Sequence, residues 1–212
     1  MSNLSTKIKP ETWVAATWEE YLQLSENPDY DKAKFYYHQG KIRIEMTPVG
    51  YEHGSDHSII HYAINLYAAL NQIPLIGLDN LTYRQPQMLG FHPDLSYYVG
   101  AATEVISNAT GIIDLNHYPP PNLVVEIAKS SLADDQGEKR LLYESLDIAE
   151  YWIVDVQNTR ILAFQIENNG SRRIAVSQVL PNLDLSILES ALRQTCESDH
   201  GQVGAWLLSQ WQ

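Results

Sequence analysis

Apolar residues recur at helical spacing through one long stretch of the chain, and that stretch anchors the reading of the rest. Over residues 52–71, Ile59, Ile60, Ala63, Ile64, Leu66, Tyr67 and Leu70 keep a three-to-four residue period with no internal proline, which predicts a long central helix. Before it, Thr17 and Glu20 stand at capping-box spacing ahead of Tyr21, Leu22 and Leu24, so a shorter helix is expected from Thr17 to the Asn27-Pro28 break. Residues 34–38 and 41–46 flank Gln39-Gly40. The second run alternates Ile42, Ile44 and Met46 with Lys41, Arg43 and Glu45, which predicts a β-hairpin. Thr47-Pro48-Val49-Gly50 then leads into the long helix.

Beyond the helix the pattern changes to two or three strands, expected around 75–78, 81–85 and 95–99, followed by a connecting segment at 100–117 with a short helix or turn. Pro119-Pro120-Pro121 stiffens the entry to residues 122–128, an almost continuous apolar run that reads as a central strand covered on both faces. A helix is expected over 134–146, a hairpin over 150–156 and 160–166, another strand over 173–179, and a helical tail through Trp206, Leu207 and Trp211. This order predicts an α/β fold: a mixed central sheet flanked by helices, with a C-terminal β extension. A single domain over 1–212 is expected, with its core at about 35–188 and a helical tail at 189–212.

Composition narrows the function classes. With 212 residues, 44% of them hydrophobic, the chain can bury a substantial core. No apolar run approaches the ~18 residues of a membrane span, and the N-terminus lacks the apolar stretch of a secretory signal, so a cytoplasmic protein is expected. Cys196 is the single cysteine, which excludes an intrachain disulfide, a zinc ribbon and a CxxC redox pair. A formal net charge of -12 gives no global basic surface for gripping phosphates, although a local basic patch is compatible with it. Phosphate-loop, dinucleotide-binding, nucleophile-elbow and HExxH motifs are absent.

Three residues carry candidate chemistry. Glu126 interrupts the apolar strand, and a buried carboxylate is costly unless paired or bound to metal. Asp94 follows His92-Pro93 at the start of a strand, where it reads either as a site acid reaching the sheet end or as a turn acid. Lys139 shares a helix face with Leu142, Tyr143 and Leu146, so it either reaches inward to Glu126 or snorkels to solvent.

Pro93-Asp94 followed by Glu126 in a hydrophobic strand resembles the signature of the PD-(D/E)XK restriction-endonuclease-like superfamily, with Ala128 in the usual lysine position. More closely, RIEMTPVGYEHG (43–54), HPDLSYY (92–98) and PPNLVVEIAKSSLADDQGEKRLLYESLDIAEYWIVD (120–155) resemble the Uma-two family of restriction-endonuclease-like proteins, over about 35–188. The resemblance implies a site of Asp94, Glu126, Lys139 and Tyr143, with the lysine moved onto the helix. Departures are Ala128-Lys129-Ser130-Ser131 for the usual Leu-Ser-Pro-Ser and Asn122 for a common Asp. Lys129 is an alternative lysine, but strand alternation puts it on the face opposite Glu126, so Lys139 is preferred unless the strand ends at Ala128.

The implied activity is metal-dependent hydrolysis of DNA phosphodiesters by an endonuclease, with Asp94 and Glu126 binding Mg²⁺ or Mn²⁺ and Lys139 steadying the attacking water. Glu45 is a further candidate acid or a plain solvent-facing residue. His53, His57 and His61 fall four residues apart, as a metal clip or a polar helix face, and His53 is kept as a possible site residue. Two other functions fit the same residues: a non-catalytic nucleic-acid or protein-binding module, and a hydrolase of a small phosphodiester. DNA is the expected partner, and cutting both strands of a duplex implies a homodimer.

Overall fold

In the computed structural model, residues 9–46 and 50–212 are described, so the lead-in at 47–49 lies outside the described residues. Contacts divide the chain into two units: one of Met1–Pro48, Asn80–Pro93 and Ala109–Pro119, the other of Val49–Asp79, Asp94–Asn108 and Pro120–Gln212. No helix among the described residues is long and apolar enough to cross a membrane. Elements are numbered along the whole chain.

The first unit is built on the expected hairpin. Val14–Ala15 (β1) edges Lys41–Met46 (β3), which pairs antiparallel with Ala33–His38 (β2) from Ala33↔Met46 to His38↔Lys41. Gln39 and Gly40 both take positive φ, 49° and 71°, giving the two-residue turn whose twist matches the strands. Trp18–Ser25 (α1) is capped as its sequence predicts: Thr17 Oγ1 accepts from the Glu20 N–H, and the Glu20 carboxylate accepts from the Thr17 N–H. It lays Tyr21 and Leu24 on Phe35, Tyr37, Ile42 and Ile44. Tyr83–Gln85 (β5), Leu89–Phe91 (β6) and Ile113–Asp114 (β8) complete a mixed sheet in the order β1-β3-β2-β6-β5-β8. The sequence pattern did not reveal β1, β6 or β8, because strands of two or three residues are too short to show alternation.

The second unit holds a mixed sheet in the order β12-β11-β10-β9-β7-β4. Its strands are Leu75–Asp79 (β4), Leu95–Val99 (β7), Leu123–Ala128 (β9), Glu150–Asp155 (β10), Arg160–Glu167 (β11) and Gly170–Ile174 (β12). Only β9 and β10 run parallel, from Leu123↔Glu150 to Ala128↔Asp155. Their crossover is the helical stretch Leu132–Gln136 (α4) and Glu138–Ser145 (α5), since parallel neighbours need a long connection. Tyr51–Leu70 (α2) is the expected long helix, and Ala102–Ile106 (α3) is the short helix expected within 100–117. Leu185–Gln194 (α6) and His200–Trp211 (α7) form the tail, capped by Asp184 and Asp199.

One sheet face, with Val125, Ile127, Trp152 and Val154, packs against Ile60, Ile64, Leu188 and Leu207 of the long and C-terminal helices. On the other face, the Tyr143 ring of α5 lies 4.6 Å from that of Tyr151. Strand β9 is therefore covered on both sides, which is why its sequence is apolar throughout but for Glu126.

Two element expectations are corrected. The helix expected over 134–146 breaks at Gly137, whose φ of -104° and ψ of -110° lie outside helical space. The strand expected over 173–179 is instead β12 at 170–174. Asn168 and Asn169, with φ of 54° and 56°, turn the chain tightly so that Glu167 pairs with Gly170. The C-terminal β extension is thus the β10-β11-β12 meander, continuous with the main sheet.

Candidate active site

Strand pairing brings the two candidate carboxylates together. In the antiparallel β7/β9 register Leu95 faces Val125, which sets Asp94, the residue just before β7, beside the stretch of β9 that carries Glu126. The Asp94 Oδ2 accepts from the Ile127 N–H of the neighbouring strand at 2.7 Å. Asp94 is 5% exposed and Glu126 2%.

Helix α5 presents Lys139 and Tyr143, one turn apart, to Glu126. The Tyr143 hydroxyl donates to Glu126 Oε1 at 2.7 Å, and Lys139 Nζ lies 3.7 Å from the same oxygen. Lys139 does not snorkel. It is 1% exposed, and its ammonium lies 2.9 Å from Oδ1 of Asp135, itself fully buried. The other oxygen of Asp135 accepts from Ser131 Oγ at 2.7 Å. Sequence reasoning missed Asp135, although its spacing four residues before Lys139 was the available signal. When ionised, Glu126 and Asp135 outweigh the Lys139 ammonium between them, leaving a net negative cluster in a site that water barely reaches.

Lys129 stays outside this cluster. Strand β9 ends at Ala128, and Lys129 pairs instead with Glu52 at 2.8 Å; that hydrogen bond and charge hold the Glu52 carboxyl below its usual range.

The three histidines of α2 face the sheet rather than solvent. His53 is buried with Nε2 3.8 Å from Asp94 Oδ1. His57 Nε2 is 3.1 Å from Asp79 Oδ1 and 3.4 Å from the Asp94 carbonyl oxygen, and His61 Nδ1 is 3.1 Å from the Tyr97 hydroxyl. Burial lowers the His61 pKa, and burial together with the Asp79 charge pushes the Tyr97 phenol well up. Among the described residues no group of three or more His, Cys, Asp or Glu side chains is arranged as a metal-holding set.

Glu45 lies in the first unit and is not solvent-facing. It is 9% exposed and accepts from Arg43 Nε at 2.6 Å, while Arg43 Nη2 reaches Glu11 at 2.9 Å. A guanidinium buried to 1% requires such carboxylate partners.

Residues 18–199 match the family model Uma2, described as "Putative restriction endonuclease". The chain belongs to the Uma2 family. This Uma2 chain is also similar in structure to the crystal structure of a "putative nuclease belonging to DUF820" from Anabaena variabilis ATCC 29413, with a TM-score of 0.60 at 19% identity. The likeness covers 83% of this chain and 98% of that one, and it shows a shared fold. No curated protein matches the Uma2 chain in sequence.

Proposed function

We propose that this Uma2 protein is a metal-dependent endonuclease that hydrolyses DNA phosphodiester bonds, with Asp94, Glu126 and Lys139 as its reacting centre. The observation that carries this reading is the buried cluster itself. The Asp94 carboxylate accepts from the N–H of Ile127, the residue next to Glu126, and a lysine ammonium stands 3.7 Å from the Glu126 carboxylate.

The donor set fits a hard divalent cation. Mg²⁺ binds through one or two carboxylates and keeps several waters, so Asp94 and Glu126 suffice as protein ligands, and the surplus negative charge of the cluster favours a cation there. Bound there, Mg²⁺ or Mn²⁺ would supply an activated water and stabilise the leaving oxygen.

The chain's own groups complete the chemistry. Tyr143 fixes the Glu126 carboxylate through its hydroxyl. Asp135, anchored by Ser131, holds the Lys139 ammonium in a single place, from which it would orient the attacking water and offset charge developing on the phosphate. His53 stands beside Asp94 and would help set its orientation. Water attacks phosphorus directly, the P–O bond to the leaving oxygen breaks, and no covalent enzyme intermediate forms.

The test is Mg²⁺- and Mn²⁺-dependent cleavage of plasmid and single-stranded DNA by the parent beside Asp94→Ala, Glu126→Ala and Lys139→Ala. Cleavage by the parent that vanishes in all three supports the assignment; cleavage that survives in them moves the centre elsewhere. A second reading, a non-catalytic binding module, is favoured by the net charge of -12, since phosphate grip normally draws on basic surface. It expects no metal-dependent turnover on any substrate. Cutting both strands of a duplex needs two such centres, so the nuclease reading includes a cytoplasmic homodimer; a monomeric mass by light scattering at working concentration speaks against it.

A further inference from the structure

A cavity of about 520 Å³ opens in the second unit beside the carboxyl ends of the two parallel strands. Tyr51 and Ser55 of the first turns of α2, Lys129 just past β9, Val156 and Gln157 just past β10, and Leu192 of α6 line it. In α/β sheets this is the edge where ligands bind, because the chain turns away from the strand ends and leaves a crevice. The same edge carries the candidate centre. Lys129 is three residues past Glu126, and His53, which faces Asp94, lies between Glu52 and Ser55 in the opening turns of α2.

The wall chemistry selects the occupant. The cation in the lining, Lys129, is engaged by Glu52 at 2.8 Å, and Asp56 adds a second acid, so a phosphate group is poorly matched. Burial, reinforced by the Glu52 charge, pushes the Asp56 carboxyl up to about 6, while His200 opposes it. Val156 and Leu192 supply apolar surface, and the Tyr51 ring is 88% exposed at the rim. Gln157 and Ser55 add an amide and a hydroxyl. A flat, uncharged ring with a hydrogen-bonding edge suits such a wall, and the volume lies within the ~300–1,000 Å³ usual for small-molecule sites.

We infer that this cavity is a nucleobase subsite, seating one unstacked base of the strand being cut, so that single-stranded or locally opened DNA is the preferred substrate. The assignment of the base to a cut strand rests on the nuclease reading above. A base already unpaired enters such a pocket without the cost of extrusion from a duplex, which is the source of the preference.

Cys196 makes the subsite testable without turnover, because this exposed thiol, the chain's single cysteine, lines the same cavity. The full-length protein is treated with an aromatic disulfide reagent in EDTA, alone and with a single-stranded oligonucleotide, an abasic strand of equal length, or the matching duplex. The base-bearing single strand slows Cys196 modification several-fold, and the abasic strand and duplex leave it unchanged. Thr195→Trp, which fills the cavity from a lining position, removes that protection while the variant keeps the parent's melting profile. Equal protection by abasic and base-bearing strands, or no protection by either, overturns the subsite whether or not the protein cuts DNA. Protection by the base-bearing strand with no metal-dependent cleavage leaves the subsite standing and removes the nuclease.

Discussion

Two buried glutamates on neighbouring strands of the second unit have opposite surroundings. Glu126 lies near the carboxyl end of β9, and Glu150 opens β10, on the other sheet face and at the other end of the parallel pair. Both are essentially sealed from solvent, at 2% and 0% exposure. Glu150 is satisfied by neutral donors: Trp152 Nε1 at 2.9 Å, Ser177 Oγ at 2.8 Å and the Val179 N–H at 3.0 Å. Glu126 instead meets a tyrosine hydroxyl and a lysine ammonium, with Asp94 bonded to the N–H of the next residue, Ile127, and Asp135 on the far side of the lysine. A buried carboxylate is therefore no sign of function by itself. Neutral donors that converge on it tie the chain down, whereas several acids crowded around one cation leave charge for a ligand to neutralise.

The sharpest way to break this contrast is to neutralise each glutamate in turn. Glu126→Gln keeps an acceptor for Tyr143 but removes the charge, so metal-dependent cleavage should fall by about 10³-fold or more, or ~4 kcal/mol of barrier. Its unfolding free energy should stay within about 1 kcal/mol of the parent's, read by urea titration beside the cleavage assay. Undiminished cleavage removes Glu126 from the reacting centre.

Glu150→Ala should do the reverse. Stranding the Trp152, Ser177 and Val179 donors costs about 3 kcal/mol, a loss of roughly 6–12 °C in Tm by calorimetry. The activity of the folded fraction at low temperature should equal the parent's; a specific loss there would erase the distinction between the two glutamates.

Half-buried Asp56 tests the intermediate case. Its folded pKa of about 6 exceeds the ordinary 3.8, so the native state binds this proton more tightly than the unfolded chain. This group's contribution to stability is greatest below pH 4 and is lost as pH rises through 6. Asp56→Asn should therefore be more stable than the parent above pH 6, by on the order of 1 kcal/mol after allowance for solvent screening, and equal to it near pH 4. Urea midpoints across pH 4–8 read this directly, and parallel curves for the two proteins would show that Asp56 carries no such penalty.

Periodicity fixed much of the local structure. The capping box at Thr17, the turn at Gln39-Gly40, the long helix and the doubly covered strand around Glu126 were all legible because each rests on residues within a few positions of one another. The short strands β6 and β8, the break at Gly137 and the Asn168-Asn169 turn were not read from that pattern. Nor was the division of the strands at 75–79, 83–85 and 95–99 between two sheets, since pairing partners lie far away in sequence.

The same boundary runs through the site. The residue types, and the anomaly of Glu126 in an apolar strand, single out Asp94, Glu126 and Lys139 in the sequence itself. Their placement was decided by the pairing of β7 with β9, which leaves the Asp94 carboxylate on the Ile127 N–H, and by the packing of α5, which carries Lys139 to Glu126. So was the role of Asp135, which in sequence is one of two adjacent aspartates and in the fold is the fully buried partner of Lys139. Sequence determines which groups a strand or helix carries and on which face, because those periods are local properties of the backbone. Which faces meet, and hence which charges share a low-dielectric space, is set by long-range packing that only the tertiary structure specifies.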